Sequence, residues 1–281
     1  MTSPGRASNA EGDAVTNDTY EVFAIKYAHH ERTVRENFIG ADPHDASPMP
    51  MDYFIWLVRG VAGTFVVDTG FDEAMGRRRG RTLLRSPADG LRSVGVEPDT
   101  VRDVVVTHMH YDHAGNHAMF PRATYHIQDR EMAYCTGRCM CHPFQRAPFD
   151  LGDVTAMVGR VFEGRARFHD GAGELAPGLT VHLVGGHSMG LQVVRVRTRR
   201  GWVVLASDAS HYYANLEQGR PFPIAASITD TLEGYNMLRR LASSPEHIVP
   251  GHDPLVLQRY PAAGPGLEGI AVRLDADQMT P

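Results

Sequence analysis

Residues 103–117, DVVVTHMHYDHAGNH, join an apolar run to a cluster of metal-ligand side chains. Three valines at 104–106 make a short β-branched apolar run, the pattern of a buried strand. The run empties into four metal-ligand side chains within six residues: His108, His110, Asp112 and His113. Side chains alternate along extended backbone, so His108 and His110 point to one side and form a chelating imidazole pair. Such a pair holds a borderline cation such as zinc, and Asp112 with His113 can serve a second cation beside the first. Gly115 lets the chain turn sharply as the loop closes. The competing reading is a polar, His-rich surface loop that binds nothing. Against it, ligand types recur downstream in the same setting.

Each recurrence ends an apolar run. Residues 179–184 lead to Gly185, Gly186, His187 and Ser188; 202–206 lead to Ser207 and Asp208; Ile248 and Val249 lead to Pro250, Gly251 and His252. Earlier, 64–67 lead to Asp68, Thr69 and Gly70. Together with the H-x-H-x-D-H pattern at His108, His110, Asp112 and His113, this series resembles the metallo-β-lactamase-fold hydrolases. The resemblance runs from about residue 20 to His252, and within the superfamily it is strongest to the N-acyl homoserine lactonase group.

That resemblance implies a single four-layer α/β/β/α sandwich; periodicity by itself supports only a mixed α/β class. It allots His108, His110 and His187 to one metal, Asp112, His113 and His252 to a second, and Asp208 to both. It implies two divalent ions, with Zn2+ expected from the imidazole-rich donors. The implied reaction is the opening of a lactone or related small cyclic ester by hydroxide bound to the two metals, with Asp112 passing a proton to the leaving group. The lactonase group usually carries a tyrosine three residues after the bridging aspartate. Here that position is His211, and the tyrosines are Tyr212 and Tyr213. Either a one-residue bulge presents Tyr212 to the substrate, or His211 takes the role. His117, beside the metal loop, is a candidate hydrogen-bond partner for a ligand.

Composition agrees with a small-molecule enzyme. The chain has 281 residues, 42% of them hydrophobic, enough for a sizeable core in one domain. A net charge of −5 gives no broad attraction to nucleic acid. The one basic run, Arg77, Arg78, Arg79 and Arg81 around Gly80, reads as a solvated loop or helix start. No run approaches the roughly 20 apolar residues of a membrane span, and the first 30 residues lack a signal-peptide apolar region. With three cysteines, an odd number, the expected compartment is the reducing cytoplasm. The oligomeric state is left open, a homodimer included.

Along the chain, residues 1–18 are poor in large apolar side chains and are expected to be disordered. Residues 20–28 read as a strand, 29–50 as a long loop, and 51–59 with 64–67 as a hairpin. A helix is expected over 83–94, although Pro87 and Gly90 weaken it, then strands at 101–106 and 123–127 and a helix from 128 to 134. Residues 135–150 read as a lid-like insertion. Its Cys135, Cys139, Cys141 and His142 offer ligands for a separate zinc, at a spacing foreign to fingers and ribbons. A helix at 153–161 and strands at 179–184, 191–198 and 202–206 follow. The helix at 228–242 is capped by Thr229 or Asp230, with Leu232, Tyr235, Leu238 and Leu241 as its apolar face.

Among hydrolases, aspartate rather than cysteine at 208 argues against the commonest zinc β-lactamases. The nucleic-acid-processing branch would bring a long insertion and a basic groove, and neither is present. A glyoxalase II-type thioesterase shares the ligands but needs a basic C-terminal clamp, and 250–281 offers only Arg259 and Arg273. A lactone therefore leads, with thioester or amide hydrolysis as the alternative. A non-catalytic metal-binding module would have lost a ligand, and none is lost.

Overall fold

The computed structural model describes residues 19–279; the tail expected to be disordered, 1–18, lies outside them. In chain order the strands are β1 (Glu21–His30), β2 (Met51–Gly60), β3 (Gly63–Val67), β4 (Thr82–Leu83), β5 (Asp103–Val105), β6 (Thr124–Gln128) and β7 (Ala166–His169). They continue with β8 (Ala172–Ala176), β9 (Leu179–Leu183), β10 (Gln192–Thr198), β11 (Gly201–Ser207), β12 (Ile248–Pro250) and β13 (Ala271–Arg273). The helices are α1 (Glu73–Arg79), α2 (Pro87–Ser93), α3 (Asp129–Cys135), α4 (Pro143–Arg146), α5 (Leu151–Phe162), α6 (Tyr213–Gln218), α7 (Ile228–Leu241) and α8 (Leu255–Arg259).

One sheet runs β13-β1-β2-β3-β5-β6-β7, with β4 paired to β1; the other runs β12-β11-β10-β9-β8. Alternation along the strands sorts the apolar side chains into the spaces of a four-layer sandwich. Val22, Ala24, Phe54, Trp56, Val58 and Val105 face Val181, Val194, Val196, Val203 and Leu205 between the sheets. Their immediate neighbours Phe23, Ile25, Tyr53, Ile55, Leu57 and Val104 turn outward, against Leu91 of α2 and Val154 and Met157 of α5. On the far side, Val193, Val204 and Ala206 pack under Tyr235 and Leu238 of α7. Each valine, leucine, isoleucine, methionine or phenylalanine among them, fully buried, contributes about 1.5–3 kcal/mol of transfer free energy. These three cores define the α/β/β/α sandwich.

Four local expectations are corrected. Residues 83–94 are not one helix: Thr82 and Leu83 pair with His29 and Ala28 of β1, and the helix begins only at Pro87. Pro87 suits a first helical position, where its missing N–H is not needed, and the Ser86 hydroxyl accepts from Asp89 N at 3.1 Å. Strands β7 and β8 were not foreseen, because their positions are half-buried or exposed and show no apolar alternation. The cap of α7 is Ser227, whose hydroxyl accepts from Asp230 N at 3.2 Å. The buried face of α7 also differs: Thr231 and Gly234 lie inside with Tyr235 and Leu238, while Leu232 is exposed. Gly234 permits this close approach, since a Cβ there would stand 2.7 Å from Val184 Cγ1. No helix among the described residues is long and apolar enough to cross a membrane.

Candidate metal centre

The sandwich presents the C-terminal ends of several strands at one edge. Asp68 follows β3, the His108–His113 loop follows β5, His187 follows β9, Asp208 follows β11 and His252 follows β12. All are buried, at 0–8% exposure, which is unusual for five imidazoles and three carboxylates in one place. Their donor atoms form overlapping groups that could hold metal ions: His108, His110, His187 and Asp208; Asp112, His113 and His252; and Asp208, His211 and His252.

Asp208 stands between the first two groups, with one oxygen turned to each. Its Oδ2 lies 3.1 Å from His187 Nε2 and 3.8 Å from His108 Nε2. Its Oδ1 lies 2.9 Å from His252 Nε2 and 3.3 Å from His113 Nε2. Asp112 Oδ2 is 3.5 Å from His113 Nε2 and 3.7 Å from His252 Nε2. His110 Nδ1 lies 2.9 Å from His187 Nε2. His108 Nε2, His113 Nε2 and Asp208 Oδ1 make no hydrogen bond although all three are buried. An unsatisfied buried polar atom costs about 1–3 kcal/mol, so three of them spread over the two donor groups call for a partner in each group. A cation suits that need, and N/O donor sets of this kind fit divalent transition metals.

The other ring nitrogens are held from behind. His113 Nδ1 is 2.7 Å from Asp68 Oδ2, His187 Nδ1 2.7 Å from Ile224 O, His252 Nδ1 2.9 Å from Asp52 O, and His108 Nδ1 3.1 Å from Thr107 Oγ1. Such bonds fix ring orientation and tautomer. Asp68 also accepts from Thr107 N at 2.7 Å and from Thr107 Oγ1 at 2.8 Å. Asp68 and Ser207 both have positive φ, 63° and 45°, and they are the only non-glycine residues described with that strain. Both abut the ligand loops, where backbone strain commonly concentrates.

Electrostatics divide the imidazoles. Burial, then His113 and His110, pushes His108 well below its ordinary pKa, and burial with His187 does the same to His110. Burial also opposes charge on His113, but Asp208, Asp112 and Asp68 outweigh it and leave that imidazole well above its usual range. For Asp208 burial acts to raise the pKa, and His211, His252, His113 and His187 more than reverse it.

Of the remaining candidates, His211 lines the same cavity, its Nε2 3.0 Å from Asp208 Oδ2 and its ring stacked 3.7 Å from Phe222. Tyr212 does not line it. Its side chain is wholly buried in the core under the first sheet, and its backbone N–H is accepted by Asn215 Oδ1 at the start of α6. His117 stacks on Tyr125 rather than bonding a ligand. The groups able to hold a metal among the described residues contain no cysteine. Cys135 is buried and its thiol is pushed up to about 12 by burial and then Glu131; Cys141 is exposed.

Sequence reasoning missed Glu131, a fully buried carboxylate on α3. It accepts from Met109 N at 2.8 Å, Ser188 Oγ at 2.7 Å and Gly190 N at 3.0 Å, so one side chain ties two ligand loops together. A signal existed: Glu131, Tyr134 and Cys135 are spaced as the buried stripe of a helix. Also missed were Tyr53 and Tyr111, whose hydroxyls lie 3.5 Å apart on the cavity wall, and the inward turn of the basic run. Arg79 stacks over Tyr111 and donates to Ala147 O and Phe149 O, which fastens the 135–150 segment above the site. The cavity holds about 390 Å³, and Phe144, Pro148, Phe222 and Ile224 give it apolar walls.

Fold and site together define a metal-binding protein with two ligand groups at the strand ends of a four-layer sandwich. The chain belongs to the metallo-beta-lactamase superfamily, whose model matches residues 50–255. It is 29% identical over 173 residues to the N-acyl homoserine lactonase AttM of Azorhizobium caulinodans, covering 58% of this chain and 62% of that one. Thus the chain matches only about three fifths of that relative's length. It is 28% identical over 261 residues to the N-acyl homoserine lactonase AiiB of Agrobacterium fabrum, covering 79% of this chain and 90% of that one. Among solved structures it resembles AidC, a dizinc quorum-quenching lactonase in complex with a product, N-hexanoyl-L-homoserine. The TM-score is 0.65 at 17% identity, over 85% of this chain and 89% of that one.

Proposed function

We propose that this protein is a hydrolase that opens lactones, with N-acyl homoserine lactones as the leading substrate class. The supporting observation is the Asp208 carboxylate, which offers one oxygen to each of two buried donor groups at the floor of an apolar-walled cavity. His108, His110 and His187 would hold one divalent cation, Asp112, His113 and His252 a second, and Asp208 both. Zinc is the cation we assign, from the donor types. Bound there, the ions would lend Lewis acidity to the ester carbonyl and to water.

The chain's own residues do the rest. Asp112 is buried but lines the cavity, and its backbone carbonyl is held by Tyr27 Oη at 2.8 Å. In this reading it takes the proton of the attacking water and returns it to the ring oxygen as that oxygen leaves. Water adds to the carbonyl carbon, the ring C–O bond breaks, and the product is one open hydroxy acid. His211 lies against Asp208 and is stacked on Phe222, where it would keep the carboxylate oriented and border the substrate's carbonyl. The apolar part of the lining suits an acyl chain. Relatives that act on N-acyl homoserine lactones favour a lactone over a thioester or amide.

The deciding experiment is turnover of N-hexanoyl homoserine lactone by metal-loaded protein, followed with a pH indicator, beside matched thioester and amide substrates. Lactone opening with kcat/KM above about 10⁴ M⁻¹s⁻¹ is expected, in the ordinary enzymatic range. A thioester preferred tenfold or more over every lactone would overturn the assignment.

A further inference from the structure

Two arginines on the wall of the catalytic cavity make no direct ion pair among the described residues, and the exposed Glu36 carboxylate acts on Arg32 only from a distance. Arg32 follows β1, Arg81 follows α1, and both line the same cavity as His110, Asp112 and Asp208. Among the described residues neither makes an ion pair with a carboxylate outside that ligand set. Arg81 points its Nε at Tyr111 Oη, 3.1 Å away, and its Nη1 at His30 Nε2 and Arg79 O, 3.0 and 2.7 Å away. Arg32 donates from Nε to Asn37 Oδ1 at 2.7 Å and from Nη2 to Glu36 O. Neutral acceptors therefore orient both guanidinium groups without neutralising them. Arg81 Nη2 and Arg32 Nη1 make no hydrogen bond among the described residues, so each group keeps one nitrogen free.

His30, between the two, adds no compensating charge. Its pKa is pushed down to about 4, by burial first and then by Arg81 and Arg32, so the ring is neutral near pH 7 and accepts from Arg81. The cavity's own carboxylates, Asp112 and Asp208, belong to the candidate metal set. Half-buried guanidinium groups in this state carry a desolvation cost that an anion relieves through short charge-assisted hydrogen bonds. Their side-chain positions are already fixed by Asn37, Tyr111 and His30, so little further ordering is needed on binding. Arg79 is different, because both its terminal nitrogens are taken by Ala147 O and Phe149 O.

We propose that Arg32 and Arg81 form a specificity subsite for a carboxylate on the substrate's acyl tail. This rests on the lactonase reading above and narrows it: the preferred substrate is a lactone whose acyl chain ends in an anion rather than a methyl group. The apolar lining residues, Phe144 and Ile224 among them, are left for the methylene stem.

The test compares homoserine lactones bearing a hexanoyl tail and an adipoyl tail, which have the same chain length and differ by the terminal carboxylate. With the metal-loaded full chain, kcat/KM for the adipoyl compound is expected to exceed that for the hexanoyl compound by about tenfold or more, carried mainly by KM and weakened by salt. In Arg32→Gln or Arg81→Gln the ratio should fall toward one, and Arg81→Lys should restore part of it. A ratio at or below one while the hexanoyl lactone is opened overturns the subsite and leaves the lactonase reading standing. If neither lactone is opened, that reading fails, and calorimetry still decides the subsite. Adipate bound more tightly than hexanoate by wild type, but not by Arg81→Gln, would support it; equal binding would overturn it.

Discussion

Asp68 Oδ2 lies 2.7 Å from His113 Nδ1, and it belongs to a carboxylate that also receives the backbone N–H and hydroxyl of Thr107. One buried acid thus aims an imidazole from the far side of the ring and pins the strand end that carries His108. It does so from left-handed backbone, φ 63°, that an aspartate rarely adopts. Burial acts to raise the pKa of Asp68, and the result stays above the ordinary carboxylate value despite His113 and Thr107. Such a group is kept for what it holds. Asp68→Asn, which keeps the shape and loses the charge, should weaken metal binding about 10–100-fold, as measured by competition with a chromophoric chelator. Unchanged affinity would mean that His113 needs no such partner.

Asp208 has the larger effect because both donor groups meet on it. Protein purified without chelator is expected to carry about two divalent ions per chain by elemental analysis. Asp208→Ala should lower that stoichiometry and cut kcat/KM for the lactone by at least ~10³-fold, about 4 kcal/mol of transition-state stabilisation. A variant that still holds two ions and loses less than tenfold in rate would refute the bridging role.

Glu131 makes the same kind of argument for the scaffold. Glu131→Ala leaves Met109 N, Gly190 N and Ser188 Oγ without their acceptor, and the loss expected is about 3–5 kcal/mol of unfolding free energy. Gly190→Ala tests the contact from the other side, since a Cβ there would stand 2.0 Å from Glu131 N. Chemical denaturation of the two variants should show both well below wild type. A Glu131→Ala variant within 1 kcal/mol of wild type would show that water replaces the carboxylate.

The cysteines give a contrasting expectation. Replacing Cys135, Cys139 and Cys141 together by serine should leave the metal content unchanged, because no cysteine joins a metal-capable group among the described residues. A metal equivalent lost in the triple variant would establish a separate site on the 135–150 segment.

These residues differ in how far the sequence announces them. The seven proposed donors could be named because each follows a short apolar run, and a buried β-strand must end in a turn that puts its next side chains at the sheet edge. The sandwich was legible for the same reason: Phe23 and Ile25 alternate with Val22 and Ala24, so both faces of β1 are apolar. Strands β7 and β8 escaped because one carries Arg167 and Phe168 outward and the other alternates with exposed positions. Pro87 was read as a breaker because local pattern does not say whether a proline ends a helix or begins one. Glu131 and Arg81 reach partners 22 to 59 positions away, and no local period reports such contacts. The choice between His211 and Tyr212 depends on the turn after β11, which one residue of register decides.

Asp153 offers a stability test separate from the metal centre. It sits in the first turn of α5, 9% exposed, and its Oδ2 has no hydrogen-bond partner. Burial first, then Asp150 and Asp72, raises its pKa to about 7, against the weaker pull of Arg78 and Arg79. The folded state therefore holds a proton that the unfolded chain, with a carboxyl near 3.8, has already lost. Stability from this residue is fully present below about pH 4 and falls as pH rises towards 7, because the folded state binds more protons across that window. Asp153→Asn removes the titration. Its stability relative to wild type should be lowest at pH 4 and rise with pH, reaching a gain of about 1–2 kcal/mol by pH 8.5. That figure is discounted from about 1.4 kcal/mol per pKa unit for partial solvent access and for the lost charge at a helix N-terminus. Urea denaturation of both proteins at pH 4.5, 6.5 and 8.5 reads the trend directly, and metal linkage cancels in the difference. A difference that stays flat with pH, or that turns against the asparagine variant at pH 8.5, would show that Asp153 is ionised and satisfied in the folded protein.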